Sequence, residues 1–278
     1  MKLTIIGNVG FTRSTVGEIR GPWTIGGAAY GIALGAAYGG LFPAICSVVG
    51  SDFTDKTLLS ISRSINIENI QKHPSLLSGR FDFNYFDHNT NPNVITEFNA
   101  LTNMQYLVKS QNIQSTWVHI CAMKPLRNID NIHALYPSKN VSISFIKSSI
   151  LAMLGTSNKT VSNARLLFFN KSEWNDVQLR PEYSQNMTSS MVVVTSKENV
   201  SLFQGGYLMF SVKTAKINNI VDTTGAGDIF AGTVIARVVL GDSLSKAILE
   251  GIKAAQIAVT GWGLTKIELE LFGHSHVF

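Results

Sequence analysis

Short runs rich in β-branched and aromatic residues punctuate the chain: Leu3–Ile6, Ala44–Val49, Trp117–Cys121, Val141–Phe145, Arg165–Phe169 and Met191–Thr195. Most are continuously apolar rather than alternating, the pattern of strands buried on both faces. Helix-like stretches lie between several of them, among them Gly27–Tyr38 and Ala100–Ser110. Farther on, Phe230, Val234, Ile235, Val238 and Val239 mark one helical face that Gly241 stops, and Ser243 caps another helix to about Val259. Strands alternating with helices imply an α/β fold, a mostly parallel central sheet flanked by helices. No repeat or low-complexity linker divides residues 1–278, which read as one domain. Two polar segments, about 11–24 and 80–98, interrupt the alternation. The first carries Thr12, Arg13, Ser14, Glu18 and Arg20; the second is rich in Asn, Asp and aromatics, with a turn at Asn91-Pro92-Asn93. Inserts of this kind on an α/β core form a lid or a binding loop.

Composition removes several classes. Apolar residues are 45% of the chain and charged residues 15%, which rules out a mostly disordered protein. The net charge of +5 is thinly spread, with no basic run. It fits an anionic ligand and gives no reason to expect nucleic acid. Cys46 and Cys121 cannot build a disulfide framework and suit a reducing, cytoplasmic setting. Gly27, Gly31, Gly35 and Gly39 repeat at the spacing of a membrane-helix motif, but Pro43 interrupts the uncharged stretch and its residues are mostly Gly and Ala. We expect that small face to bring a helix close to the sheet, with no membrane involved. His274 and His276 read as a solvated end rather than a metal site, and Trp117 and His119 as core. The Asn-x-Ser/Thr sequences beginning at Asn140, Asn158, Asn170, Asn186 and Asn199 arise by chance in an Asn- and Ser-rich chain.

The stretch that carries chemistry is Asp222-Thr223-Thr224-Gly225-Ala226-Gly227-Asp228, followed at once by an apolar helix. Three small residues at a helix start leave N–H groups bare, and the positive end of the helix favours an anion there. A carboxylate in the first turn, Asp228, then stands beside that anion, where it can take a proton from a hydroxyl attacking a phosphoryl group. No GxxxxGK[ST] phosphate loop is present.

This string resembles the C-terminal signature of the ribokinase-like family of carbohydrate and nucleoside kinases. The resemblance extends along most of the chain. Gly26-Gly27 is similar to the family's N-terminal glycine pair, Val49-Gly50-Ser51-Asp52 to its "VGxD", Asn170-Lys171-Ser172-Glu173 to its "NxxE", and Met191–Thr195 to the strand entering its nucleotide loop. The resemblance implies a parallel sheet with helices on both sides, a small β lid, and a homodimer joined through that lid. It implies ATP near Thr195, Lys197, Thr223 and the loop before Gly263, with Asn170 helping to organise Mg²⁺ and Glu173 holding it through water. Gly225, Ala226 and Gly227 would form the anion hole and Asp228 the base, while Asn8, Thr12, Arg13, Gly26 and Gly27 would meet a small-molecule hydroxyl substrate.

Departures from the family pattern bear on that substrate. Sugar kinases of this family place an Asp near Thr12 and an Asn at Gly31, both gripping sugar hydroxyls. Without them, ribose and fructose should be poor acceptors and an inositol or a nucleoside better. Arg13, Glu18, Asp82 and Asn84 would supply replacement contacts, and Phe81–Phe86 could stack a base or simply pack. Thr195-Ser196-Lys197 also lacks the glycine usual in the nucleotide loop. The expected protein is an ATP-dependent kinase for a sugar, polyol or nucleoside hydroxyl. The alternative is a catalytically idle relative that binds nucleotide or a protein partner.

Overall fold

A computed structural model describes residues 2–87, 92–104, 115–124, 126, 140–146, 158–181 and 187–278. The first half contains β1 (Leu3–Ile6), β2 (Gly10–Val16), β3 (Ile19–Arg20), β4 (Thr24–Gly26), α1 (Ala28–Tyr38), β5 (Ala44–Val49), α2 (Asp55–Ile61), β6 (Asn66–Lys72), β7 (Gly79–Tyr85) and β8 (Asn93–Glu97). Then come β9 (Trp117–Ala122), β10 (Asn140–Phe145), α3 (Asn158–Asn163), β11 (Leu166–Asn170), α4 (Lys171–Gln178), β12 (Met191–Thr195), β13 (Asn199–Gln204) and β14 (Tyr207–Lys213). Three helices close the chain: α5 (Ala226–Val239), α6 (Leu244–Ala258) and α7 (Thr265–Phe272).

The main sheet has the strand order β14-β13-β12-β11-β10-β9-β1-β5-β6. Its strands from β12 to β6 run parallel, and β13 and β14 add an antiparallel hairpin at one edge. Continuous apolar sequence is explained by two cores. Along β9, Trp117 and Cys121 enter one core while Val118, Ile120 and Ala122 enter the other. Chain order runs outward from β1 in both directions, so the loops after β1 and β9 diverge and open a crevice at their carboxyl ends.

The second sheet, β3-β2-β7-β8 with β4 also paired to β2, draws its strands from the two polar segments singled out in the sequence. β2 and β7 are parallel, with Arg13 opposite Asp82, Ser14 opposite Phe83 and Val16 opposite Tyr85.

The glycine stripe of α1 meets a helix, not the sheet as expected. A Cβ on Gly35 would lie 2.3 Å from the Ile229 carbonyl oxygen, one on Gly39 2.8 Å from the Ala236 Cβ, and one on Gly232 2.0 Å from the Ile32 carbonyl oxygen. Helices α1 and α5 thus pack backbone to backbone because both present glycine. No helix among the described residues is long and apolar enough to cross a membrane. The helix expected over Ala100–Ser110 begins instead as a 3₁₀ turn at Asn99–Asn103, and its later part lies outside the described residues.

The end of the chain is another correction. His276 is not a solvated side chain: its Nδ1 and its backbone N–H meet the buried Glu268 carboxylate at 3.0 and 2.8 Å. Val277 bridges to Thr24, and the Phe278 N–H donates to the Trp23 carbonyl at 2.8 Å. A buried carboxylate needs donors, and Glu268 takes its own from Tyr30 and His276, which draws the tail inward. Trp117 and His119 are core as expected. Burial pushes His119 down to about 3, so its neutral ring serves Ser142 and Ser144.

Candidate active site

Helix α5 begins at Gly225, whose backbone is left-handed at φ +79° and whose Cβ would strike Leu264 at 2.6 Å. Only glycine meets both conditions. Ala226 donates to the Thr223 carbonyl and Ile229 to the Gly225 carbonyl. The N–H groups of Gly227 and Asp228 between them belong to the open donors of a helix start. Nothing lies within 4 Å of where a Gly227 Cβ would stand. The cradle is therefore open on the side where an anion would enter.

Asp222 holds this loop from below. It is 1% exposed; Oδ1 accepts from the Thr224 N–H at 2.9 Å and Oδ2 from the Gly263 N–H at 2.8 Å. Gly263, expected beside the nucleotide, thus has its amide committed to Asp222, and a Cβ there would meet the Thr24 hydroxyl at 2.8 Å. The first acid of the string pins the loop.

Asp228 is half-buried and lies against α1, where a Cβ on Gly31 would sit 2.8 Å from the Asp228 Cβ. A side chain at position 31 would displace the carboxylate, so the missing Asn and the seat of Asp228 are one feature. Burial, and secondarily the Glu173 carboxylate, push Asp228 up to about 7. Glu173 is 5% exposed and joined to Asn170 by a reciprocal cap: its Oε2 accepts from the Asn170 N–H at 2.8 Å, and Asn170 Oδ1 accepts from the Glu173 N–H at 2.9 Å. Asn170 pairs in register with Thr195 on the neighbouring strand, so the "NxxE" segment and the nucleotide-loop strand end side by side. Lys197 is exposed just beyond, and its carbonyl accepts from the Thr214 hydroxyl at 2.6 Å.

Asn8, expected to meet a substrate, is buried at the end of β1. Its Oδ1 and carbonyl oxygen take the N–H groups of Ala28 and Ala29, capping α1. Gly27 (φ +96°) passes so close that a Cβ would lie 2.5 Å from the Asn8 carbonyl oxygen. Thr12 is buried beneath Gly26, where a Cβ has no room. Arg13 is paired with Asp82 and stacks over Trp23 with its guanidinium 4.3 Å from the ring centroid. By the β2–β7 register, this pair occupies the face opposite Ser14 and Tyr85, and the expectation that Arg13 and Asp82 reach for a substrate finds each engaged with the other. Glu18 is exposed at the lid tip.

Two residues not anticipated close the site from above. The Ser14 hydroxyl and the Tyr85 hydroxyl each lie 2.9 Å from Thr224 Oγ1, bridging lid and cradle. Local sequence gives no signal for such contacts, since Ser14 is an ordinary strand residue far from position 224.

A curated relative, the cytidine kinase of Thermococcus kodakarensis, is 24% identical over 95% of this chain and 98% of its own. Among solved structures, the Burkholderia thailandensis nucleoside kinase in complex with inosine superposes with a TM-score of 0.79 at 12% identity, over 98% of this chain and 99% of that one. A putative ribokinase II from E. coli, in complex with ATP and Mg²⁺, gives 0.75 at 20% identity over 98% of each chain. These structures share the fold. The sequence profile of the pfkB family carbohydrate kinases matches residues 23–269, and the chain belongs to that family of phosphotransferases acting on carbohydrate or nucleoside hydroxyls.

Proposed function

We propose that the protein transfers the γ-phosphoryl group of ATP to a hydroxyl of a nucleoside, with Asp228 as general base. The observation that carries this reading is the seat of Asp228: in the first turn of α5, beside open backbone donors, and pushed up to about 7. A carboxyl titrating near neutrality is well matched to taking a proton from an attacking hydroxyl. With the Ala226 N–H given to the Thr223 carbonyl, the N–H groups of Gly227 and Asp228 at this helix start would stabilise charge developing on the transferred group, the main contribution a protein makes to phosphoryl transfer.

ATP would lie along Asn170, Thr195, Lys197 and Thr223, with the surface of the loop at Gly263 bounding it. Mg²⁺ would be held through water by Glu173 and by the phosphates, since Mg²⁺ keeps much of its hydration shell. When bound, Mg²⁺ neutralises phosphate charge. Asn8, Gly26 and Gly27 form the floor on which the acceptor would rest. The free thiols Cys46 and Cys121, both buried, suit a cytoplasmic setting. The lid carries exposed Val94 and Ile95 on its edge strand β8, apolar surface a homodimer joined there would cover.

Support for a nucleoside over a simple sugar comes from three sides. Gly31 leaves no side chain to grip a sugar hydroxyl, the lid turns Phe83 and Tyr85 toward the cradle, and relatives named above act on or bind nucleosides. The test is a coupled ADP-release assay over cytidine, other nucleosides, ribose, fructose and inositols. Release is expected with nucleosides and should fall ~10²–10⁴-fold in Asp228→Asn while ATP still binds. Ribose or fructose as best acceptor overturns the substrate; release with no acceptor of any class leaves the idle, nucleotide-binding alternative.

A further inference from the structure

We propose that Thr224 is a positioning residue whose hydroxyl latches the lid to the anion cradle, so that lid closure and the placement of Gly225–Asp228 occur as one event. The catalytic consequence rests on the kinase reading above; the latch itself rests on geometry. Ser14 on β2 and Tyr85 on β7 project from one face of the lid sheet, because Ser14 lies opposite Phe83 and Tyr85 opposite Val16 in a parallel pairing. Both hydroxyls converge on Thr224 Oγ1 at 2.9 Å. A threonine hydroxyl has one donor and two acceptor sites, enough to serve both partners at once. Burial raises the Tyr85 hydroxyl above its ordinary value, so it keeps its proton and can either donate to Thr224 or accept from it.

Thr224 is thereby gripped from two directions. Its N–H is fixed from below by Asp222, which also takes the Gly263 N–H, and its hydroxyl is fixed from above by the lid. The next residue is the left-handed Gly225, and rotation there sets where the Gly227 amide and the Asp228 carboxylate point. The lid is stiff enough to transmit position: on its other face Arg13 and Asp82 are paired and Arg13 stacks on Trp23. Contacts between hydroxyls suit a part that must open for an acceptor and close again, because water replaces each bond at a net difference of about fivefold in population. Closing also keeps water from the phosphoryl group.

The test uses Thr224→Val, which keeps shape and removes the hydroxyl, Thr224→Ser, which keeps the hydroxyl, and Tyr85→Phe. Both native cysteines are buried, so spin labels attached through Thr96→Cys on the lid and Ser245→Cys on the body report the lid–body distance alone. The unmodified latch and Thr224→Ser should give one narrow distance distribution. Thr224→Val and Tyr85→Phe should each raise the population at longer distance by about fivefold, and the double variant by less than the product, since both act on one cluster. In turnover, the same two variants should raise acceptor KM and release more ADP per acceptor phosphorylated, with Thr224→Ser restoring both. Unchanged distances in Thr224→Val and Tyr85→Phe overturn the latch; if Thr224→Val fails to fold, Tyr85→Phe alone decides. An unmodified protein that phosphorylates no acceptor sinks the kinase reading, while the distances still decide the latch.

Discussion

Asp228 and Glu173 are two carboxylates that feel each other's charge, and their surroundings separate them. Glu173 is occupied with the Asn170 N–H and reaches Asp228 only through its charge, whereas Asp228 is desolvated and pushed up to about 7. Activity should therefore rise with pH through about 7 as Asp228 loses its proton. Glu173→Gln keeps an oxygen for the cap but removes the charge; the midpoint of the kcat/KM profile should move to lower pH, and an unmoved midpoint would show that burial acts alone. The same shift governs stability. The folded value of Asp228 lies above its ordinary 3.8, so the native state loses stability as pH rises from about 4 to 7 and stays at that lower level above it. Asp228→Asn removes this loss. Calorimetry should find the variant's Tm advantage growing across that window and level beyond it. Asp228 was legible because its partners in the string are contiguous, so one helix start carries both the open donors and the carboxylate proposed as base. Ser14 and Tyr85 were not, because a hydroxyl on a strand is legible as a contact only once the fold has brought it to residue 224.

Helices α1 and α5 show what spacing reveals and what it leaves open. A glycine every fourth residue states that one face of α1 is flat; it does not state what lies against it, and the answer is the equally bare face around Gly232 rather than the sheet. The six apolar runs likewise foretold the parallel strands, whose burial on both faces leaves a continuous signal. Strands β6 and β14 escaped because they are the edges of the sheet and partly exposed, and β13, between β14 and β12, because its burial alternates instead of running continuously. Two glycine substitutions separate packing from chemistry. Gly35→Ala puts a methyl group 2.3 Å from the Ile229 carbonyl oxygen, overpacking that costs about 1–3 kcal/mol, or a Tm lower by roughly 2–12 °C at this chain size. Gly227→Ala meets no atom within 4 Å and gains helix propensity of up to about 1 kcal/mol, so its Tm should hold or rise. Its turnover should nevertheless fall, on the order of 10²-fold, because the methyl group displaces the transferred phosphoryl. Equal Tm losses in the two variants would refute this division.

Across the whole molecule, the C-terminal segment joins parts that sequence order keeps far apart. Glu268 on α7 is fully buried and accepts from the Tyr30 hydroxyl of α1 at 2.7 Å as well as from His276. The residues beyond His276 then reach the lid base, Val277 beside Thr24 and the Phe278 ring edge-on to Phe11 at 5.1 Å. Trp23, whose carbonyl takes the Phe278 N–H, is the ring on which Arg13 stacks. One strap thus connects the helix beneath Asp228, the last helix and the root of the lid. Deleting residues 274–278 leaves the Glu268 carboxylate with Tyr30 alone, and a buried acceptor stripped of donors costs about 1–3 kcal/mol, lowering Tm by roughly 2–12 °C. It also frees β4 and the lid root, so acceptor KM should rise while kcat, which the proposal above assigns to Asp228, changes little. Tyr30→Phe separates the two effects: it takes one donor from the same carboxylate but leaves Val277 and Phe278 on the lid, and should lower Tm with acceptor KM unchanged. Should both variants lose stability and neither alter KM, the strap would be a fastening of the core with no hold on the lid.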